Sequence, residues 1–238
     1  MLKGGGESLT STVGQVKKGD VEAQRATINL HKLKAEQMRA EIARLENLKQ
    51  EIQQKLASNE KLKDISSQIR LDMTRDGLRI QIVDDQNRPM FASGSATIAP
   101  YMKDLLREIG SVLTEVPNRL TLEGHTDAQP FPGGDRGYSN WELSSDRANA
   151  SRRELIAGGL ADDRVLRVQG LASSQPFDEK DPLAPTNRRI SIIVMNREAE
   201  DRMFRTDPDK AAPDAADSPA SSATNSTGAD SIAPPTDR

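Results

Sequence analysis

The sequence contains no cysteine. That excludes disulfides, a thiolate metal site and a cysteine nucleophile, while leaving the redox compartment open. Aromatic residues make up 3% and hydrophobic residues 35% of the 238 positions, against a globular norm nearer half apolar. A chain so poor in apolar side chains cannot be packed core throughout. Some long part must be solvated helix or disordered, which excludes a tightly packed enzyme of this length. No run of about 18 apolar residues occurs, so no segment reads as a membrane span. Met1–Gly6 lacks the apolar stretch of a signal peptide, and as written the chain carries no export signal. Charge of one sign is lacking too, with 33 Lys and Arg against 36 Asp and Glu and a net of -3. From Thr206 to Arg238 six Asp face one Lys and one Arg, so the deficit belongs to the tail. The near-neutral remainder lacks the basic footprint of nucleic-acid binding, and nucleic acid is not an expected partner.

What is present divides into four regions: 1–18, a Gly-, Ser- and Thr-rich flexible segment; 19–70, a helical linker; 71–198, an α/β domain; and 199–238, an acidic tail expected to be disordered. Within the linker, residues 20–63 lack Gly and Pro. With Ile28 at heptad position a, the a positions are Ile28, Ala35, Ile42, Lys49 and Leu56, and the d positions are His31, Met38, Leu45, Ile52 and Asn59. Seven of these ten are apolar. The seam fits either an amphipathic helix lying on its own domain or a dimeric coiled coil. Glu51 and Lys55 are spaced for an i, i+4 ion pair.

In the domain, Leu78–Val83 alternates with period two after an Asp-Gly turn and predicts a half-buried strand. Pro100 suits a first helical turn, and Leu105, Ile109, Val112 and Val116 recur at helical spacing before Pro117. Leu120–Gly124 and Val165–Gly170 predict two more strands. Between them, Ser139-x-x-Glu142 is a capping box opening a helix that ends at Gly158-Gly159. Ile190–Met195 is continuously apolar, as in a central strand. Strands separated by helices imply βαβ units and a partly parallel sheet.

Chemistry concentrates where the second of these strands ends. Gly124-His-Thr-Asp127 places His125, Thr126 and Asp127 at a carboxyl edge, where open α/β sheets bind ligands, and a breaker-rich loop follows. Arg147 lies about two turns into the next helix. A carboxylate and a guanidinium flanking one loop suit a zwitterion, since Asp accepts from an ammonium and Arg forks onto a carboxylate.

Three phrases in order, Gly124-His-Thr-Asp127, Tyr138-Ser-Asn-Trp-Glu-Leu-Ser-Ser-Asp-Arg-Ala148 and Asn187-Arg-Arg189, resemble the OmpA-like (OmpA/Pal/MotB) peptidoglycan-binding domain. Gln86–Phe91 with Gly94-Ser-Ala96, Tyr138-Ser-Asn-Trp-Glu-Leu143 and Asn187–Val194 resemble its flagellar stator branch. The resemblance implies a two-layer βαβαβ sandwich, a mixed sheet with helices on one face, preceded here by the long amphipathic helix. It implies non-catalytic binding of the diaminopimelate of the peptide stem by Asp127 and Arg147. Thr126 and Asn140 match positions lining that site, and Asn187 and Arg188 match the loop bordering it; His125 reads as structural. It further implies a homodimer, a MotA-like channel partner, and a periplasmic place tethered to the inner membrane in an intact parent. The family's transmembrane helix with its ion-carrying Asp has no counterpart before Val21, so this chain is expected to be part of a longer protein. The linker would then regulate wall engagement.

Other classes fit less well. A cell-wall tether of the OmpA/Pal type without a motor role is the main alternative. A hydrolase would need a Gly-x-Ser-x-Gly elbow, which is absent, and a His within reach of its nucleophile, yet the chain has two His in all. His125-x-Asp127 supplies only two zinc ligands. No catalytic residue, metal or cofactor is expected.

Overall fold

A computed structural model describes residues 18–63, 65–85, 87–132 and 137–204. The flexible lead before residue 18 and the disorder expected beyond residue 204 lie outside the described residues. The elements run α1 (Lys18–Ser58), α2 (Glu60–Lys63), β1 (Ile69–Thr74), β2 (Gly77–Val83), α3 (Pro100–Leu113), β3 (Leu120–His125), α4 (Asn140–Ala157), β4 (Val165–Gly170), β5 (Arg189–Met195) and α5 (Arg197–Phe204). Among the described residues no helix is long and apolar enough to cross a membrane.

The five strands form one mixed sheet in the order β1-β2-β5-β3-β4. Only β3 and β4 pair in parallel, joined by the α4 crossover, and the other pairings are antiparallel. The period-two pattern sends alternate residues to opposite faces, but six of the seven β2 residues are buried, so that strand is covered on both faces rather than half-buried. Leu78, Ile80 and Ile82, Leu120 and Leu122, and Ile190, Ile192 and Val194 join one core with α1, α3 and α4. The alternate positions Gln81, Thr121, His125, Arg189 and Ser191 are buried polar groups, so the other face is largely polar, with Val83 and Ile193 among them. The sheet begins at β1, so the boundary expected at residue 70 falls inside a strand. Likewise α5 crosses the boundary expected at residue 198.

Helix α4 is fixed at both ends of its first half. Ser139 caps it: its Oγ accepts the Trp141 N–H, and Glu142 Oε2 accepts the Ser139 N–H at 2.8 Å. Below it, Gly124 and Gly170 permit close approach, since a Cβ at Gly124 would strike the Ser144 carbonyl and one at Gly170 would strike Ser145. The start of α4 is therefore pressed onto the carboxyl ends of β3 and β4.

The large apolar residues of α1, most of them on the heptad seam, divide in two. Leu45, Leu48, Ile52 and Leu56 are buried in the domain core, each contributing about 1.5–3 kcal/mol by apolar burial. Ile28, Leu33, Met38 and Ile42 are exposed. The amphipathic-helix reading thus holds for the second half of the helix, which forms part of the helical layer. Lys55 pairs with Glu108 of α3, with Nζ 3.6 Å from Oε1, rather than with Glu51.

Candidate functional site

Because β5 runs antiparallel to both β2 and β3, its first residues lie beside the last residues of its neighbours. That topology gathers Asp84, Asp127 and Arg188 at one sheet end. Arg188 bridges the two carboxylates: Nε donates to Asp84 Oδ2 at 2.7 Å, and Nη1 donates to Asp127 Oδ2 at 2.8 Å. Burial acts to lower the Arg188 pKa, but the bonds to Asp127 and Asp84 outweigh it and the value is raised. Asp127 is 8% exposed, and its Oδ1 accepts the Gln129 N–H at 3.2 Å.

Arg147 reaches the same place from α4. It is 6% exposed. Its Nε donates to the Ser95 carbonyl at 3.0 Å and its Nη2 to that of Ala92 at 3.5 Å. Its guanidinium lies 4.9 Å from the centre of the Phe91 ring, within cation–π range. Among the described residues Nη1 has no acceptor. Burial pushes the Arg147 pKa down, and the charges of Asp84, Arg188 and Asp127 act on it in turn. A guanidinium stays protonated through such a shift. The cluster thus holds two buried carboxylates and two guanidinium groups, with no net charge.

The remaining expected residues divide. Thr126 is 2% exposed with its Oγ1 unpartnered beside Asp127, and its N–H donates to the Ala172 carbonyl. Asn140 ties α4 to the rim loop, with Nδ2 donating to the Gln129 carbonyl at 2.8 Å. Asn187 is committed elsewhere. Its Oδ1 accepts the Phe177 and Asp178 N–H groups, and its Nδ2 donates to the Asp181 and Asp178 carbonyls. That amide organises the loop before β5 and has no capacity left for a ligand. His125, expected to be structural, is 2% exposed on the polar face of the sheet, with Nε2 3.8 Å from Glu123 Oε2.

Sequence reasoning missed Asp84, Phe91 and the Ser95 carbonyl. The available signal for Asp84 was an acidic residue directly after an apolar strand, which reads equally well as a turn residue.

Residues 90–189, which hold β3, α4, β4 and the Asp127, Arg147 and Arg188 of the charged cluster, match the OmpA family. Over 199 residues the chain is 46% identical to Motility protein B of Escherichia coli, in strains K12 and O157:H7 alike, a match covering 84% of this chain and 61% of each relative. The chain therefore spans about three fifths of the length of the curated relatives it matches. The solved MotB-like protein of Desulfovibrio vulgaris is 19% identical and superposes with a TM-score of 0.55, covering 67% of this chain and 98% of that one. That likeness concerns the fold.

Proposed function

We propose that the domain binds peptidoglycan without catalysis and anchors a flagellar stator complex to the cell wall. The observation that carries the reading is the buried, opposite-sign pair Asp127 and Arg147 converging on one sheet end. Asp127 accepts from the ammonium at the free centre of diaminopimelate in the peptide stem. Arg147, clamped by two carbonyls and Phe91, turns Nη1 toward the carboxylate of the same centre. Burial strengthens both contacts because water screens them little. Thr126 and Asn140 border the site, and Arg188 pairs with Asp127. The Gln86–Phe91, Gly94-Ser-Ala96 and Asn187–Val194 phrases, which resemble the stator branch, and the 46% identity to Motility protein B support the motor role over a plain wall tether.

In this reading the domain works in the periplasm, within a parent held in the inner membrane beside a MotA-like channel partner. Two copies pair through the exposed first half of α1, where Ile28, Met38 and Ile42 continue the seam that Leu45 and Ile52 bury in the domain. The same helix, docked for half its length, controls the reach of the domain toward the wall.

Pull-down on purified sacculi tests the site. Asp127→Ala and Arg147→Ala should each weaken binding by about 1.5–3 kcal/mol, the worth of a charge-assisted hydrogen bond. Retained binding by both folded variants would overturn the assignment.

A further inference from the structure

The residue that no motif marks is Asp84, and its geometry carries an inference that rests on the reading of the site given above. Asp84 stands directly after β2 and is 8% exposed. Its Oδ1 accepts the Met90 N–H at 2.7 Å, and its Oδ2 accepts Arg188 Nε at 2.7 Å. A guanidinium facing a single carboxylate favours a fork-on-fork pair that takes both oxygens. Here Nε is held by Asp84, so Asp127 receives one bond, from Nη1. Among the described residues the other Asp127 oxygen meets only the Gln129 N–H, at 3.2 Å. A carboxylate has about four lone-pair sites, so Asp127 keeps acceptor capacity although a guanidinium lies beside it.

We propose that Asp84 is a positioning residue that determines the specificity of the site. It holds Arg188 away from a two-pronged pair with Asp127, and its own charge brings the cluster of Asp84, Asp127, Arg147 and Arg188 to neutrality. A neutral cluster with one open acceptor and one open donor selects a zwitterionic amino-acid centre over a lone ammonium or a lone carboxylate. Without Asp84 the cluster carries an extra positive charge, which repels the ligand's ammonium. Arg188 is then free to close on Asp127.

The test is calorimetric titration of the full chain with a soluble stem peptide carrying meso-diaminopimelate. Asp84→Asn keeps an oxygen for the Met90 N–H and removes the charge together with the acceptor that holds Arg188 Nε. It should bind about tenfold more weakly or worse. Adding Arg188→Gln to Asp84→Asn should recover most of that loss, because the competing guanidinium is gone and the charge returns to zero. A merely structural role for Asp84 would give no such recovery. Wild-type affinity in Asp84→Asn, or a folded double variant no tighter than the single one, overturns the proposal. Should Asp84→Asn melt below the assay temperature, Arg188→Gln alone decides the matter. It leaves the cluster negative, so the preference for the diaminopimelate peptide over its lysine counterpart should narrow; an unchanged preference refutes the inference. If the wild-type chain binds neither peptide, the reading of the site fails and this inference falls with it. If it binds and the variants do not behave as stated, only the inference falls.

Discussion

Glu41 on the long helix α1 accepts a hydrogen bond from the backbone N–H of Arg197, at 2.8 Å, and so closes the first turn of α5 from a distant part of the chain. The same Oε1 accepts from Asn118 Nδ2 at 3.3 Å, while Asn118 also donates to the Met195 carbonyl at 2.7 Å. The first N–H groups of a helix have no partner within it; here Glu41 serves Arg197 and Asn196 serves Ala199. Glu41→Ala should cost about 0.5–2 kcal/mol, as the loss of a capping acceptor does, and should speed hydrogen exchange at the Arg197 amide. Glu41→Gln, which keeps an acceptor oxygen, should cost less. Equal exchange in Glu41→Ala and wild type would remove the clasp.

The divided seam of α1 predicts opposite behaviour from its two halves. Ile52→Ala, at a position 1% exposed, should destabilise the domain by about 2–5 kcal/mol. Ile28→Ala, at a position 65% exposed, should change thermal stability of the single chain by less than about 0.5 kcal/mol. Charges placed at Ile28 and Met38 should instead act on association. Sedimentation equilibrium should give a dimer for the wild type and a monomer for the Ile28→Glu, Met38→Glu variant. A wild type that remains monomeric over the accessible concentration range contradicts the pairing.

Burial lowers the pKa of His125 from its ordinary 6.5, and the facing Glu123 only partly offsets this. The folded chain therefore binds a proton at this ring less readily than the unfolded one. By linkage, this contribution is fully present above pH 6.5 and is lost as pH falls through the depressed value. Melting temperature should drop across that interval, and His125→Gln should flatten the drop. An unchanged slope in the variant would show that other groups govern acid sensitivity.

Asn187 holds four backbone groups of the loop before β5, and removing its amide leaves them without that partner. Asn187→Ala should cost about 1–3 kcal/mol for each group left buried and unpaired. Denaturant titration should register the loss clearly. Binding of sacculi at a temperature where the variant is folded should fall less than in Asp127→Ala.

Local chemistry made most of this architecture readable before any coordinates. Pro100 opens α3, Ser139 and Glu142 open α4, and the alternation in Leu78–Val83 identifies β2, because each signal acts within a few residues of its own position. Strand β1 escaped notice since Arg70 and Asp72 interrupt its apolar positions, as suits an edge strand whose outer face meets water. Helix α5 was hidden in acidic sequence that gives little hint of burial beyond Ala199. Asp127 and Arg147 were singled out by their phrases, and the fold buries both near one sheet end. Asp84 was not, because its meaning lies in Arg188, 104 residues further on, which only the antiparallel entry of β5 brings alongside. Asn187 was misplaced for the converse reason: it borders the site in sequence, but its amide turns into the loop behind it.

The position of β5 has a consequence for how such a chain comes into being. The strand at the centre of the sheet is the last of the described strands to be synthesised, and it must slide between β2 and β3. Until it does, neither neighbour has its antiparallel partner on that side, and Asp84 and Asp127 lack the cation that joins them. Pairings this distant in sequence form slowly. A growing chain therefore passes through most of the described sequence with Asp84 and Asp127 unjoined, and gains their shared cation in a single late event when β5 arrives.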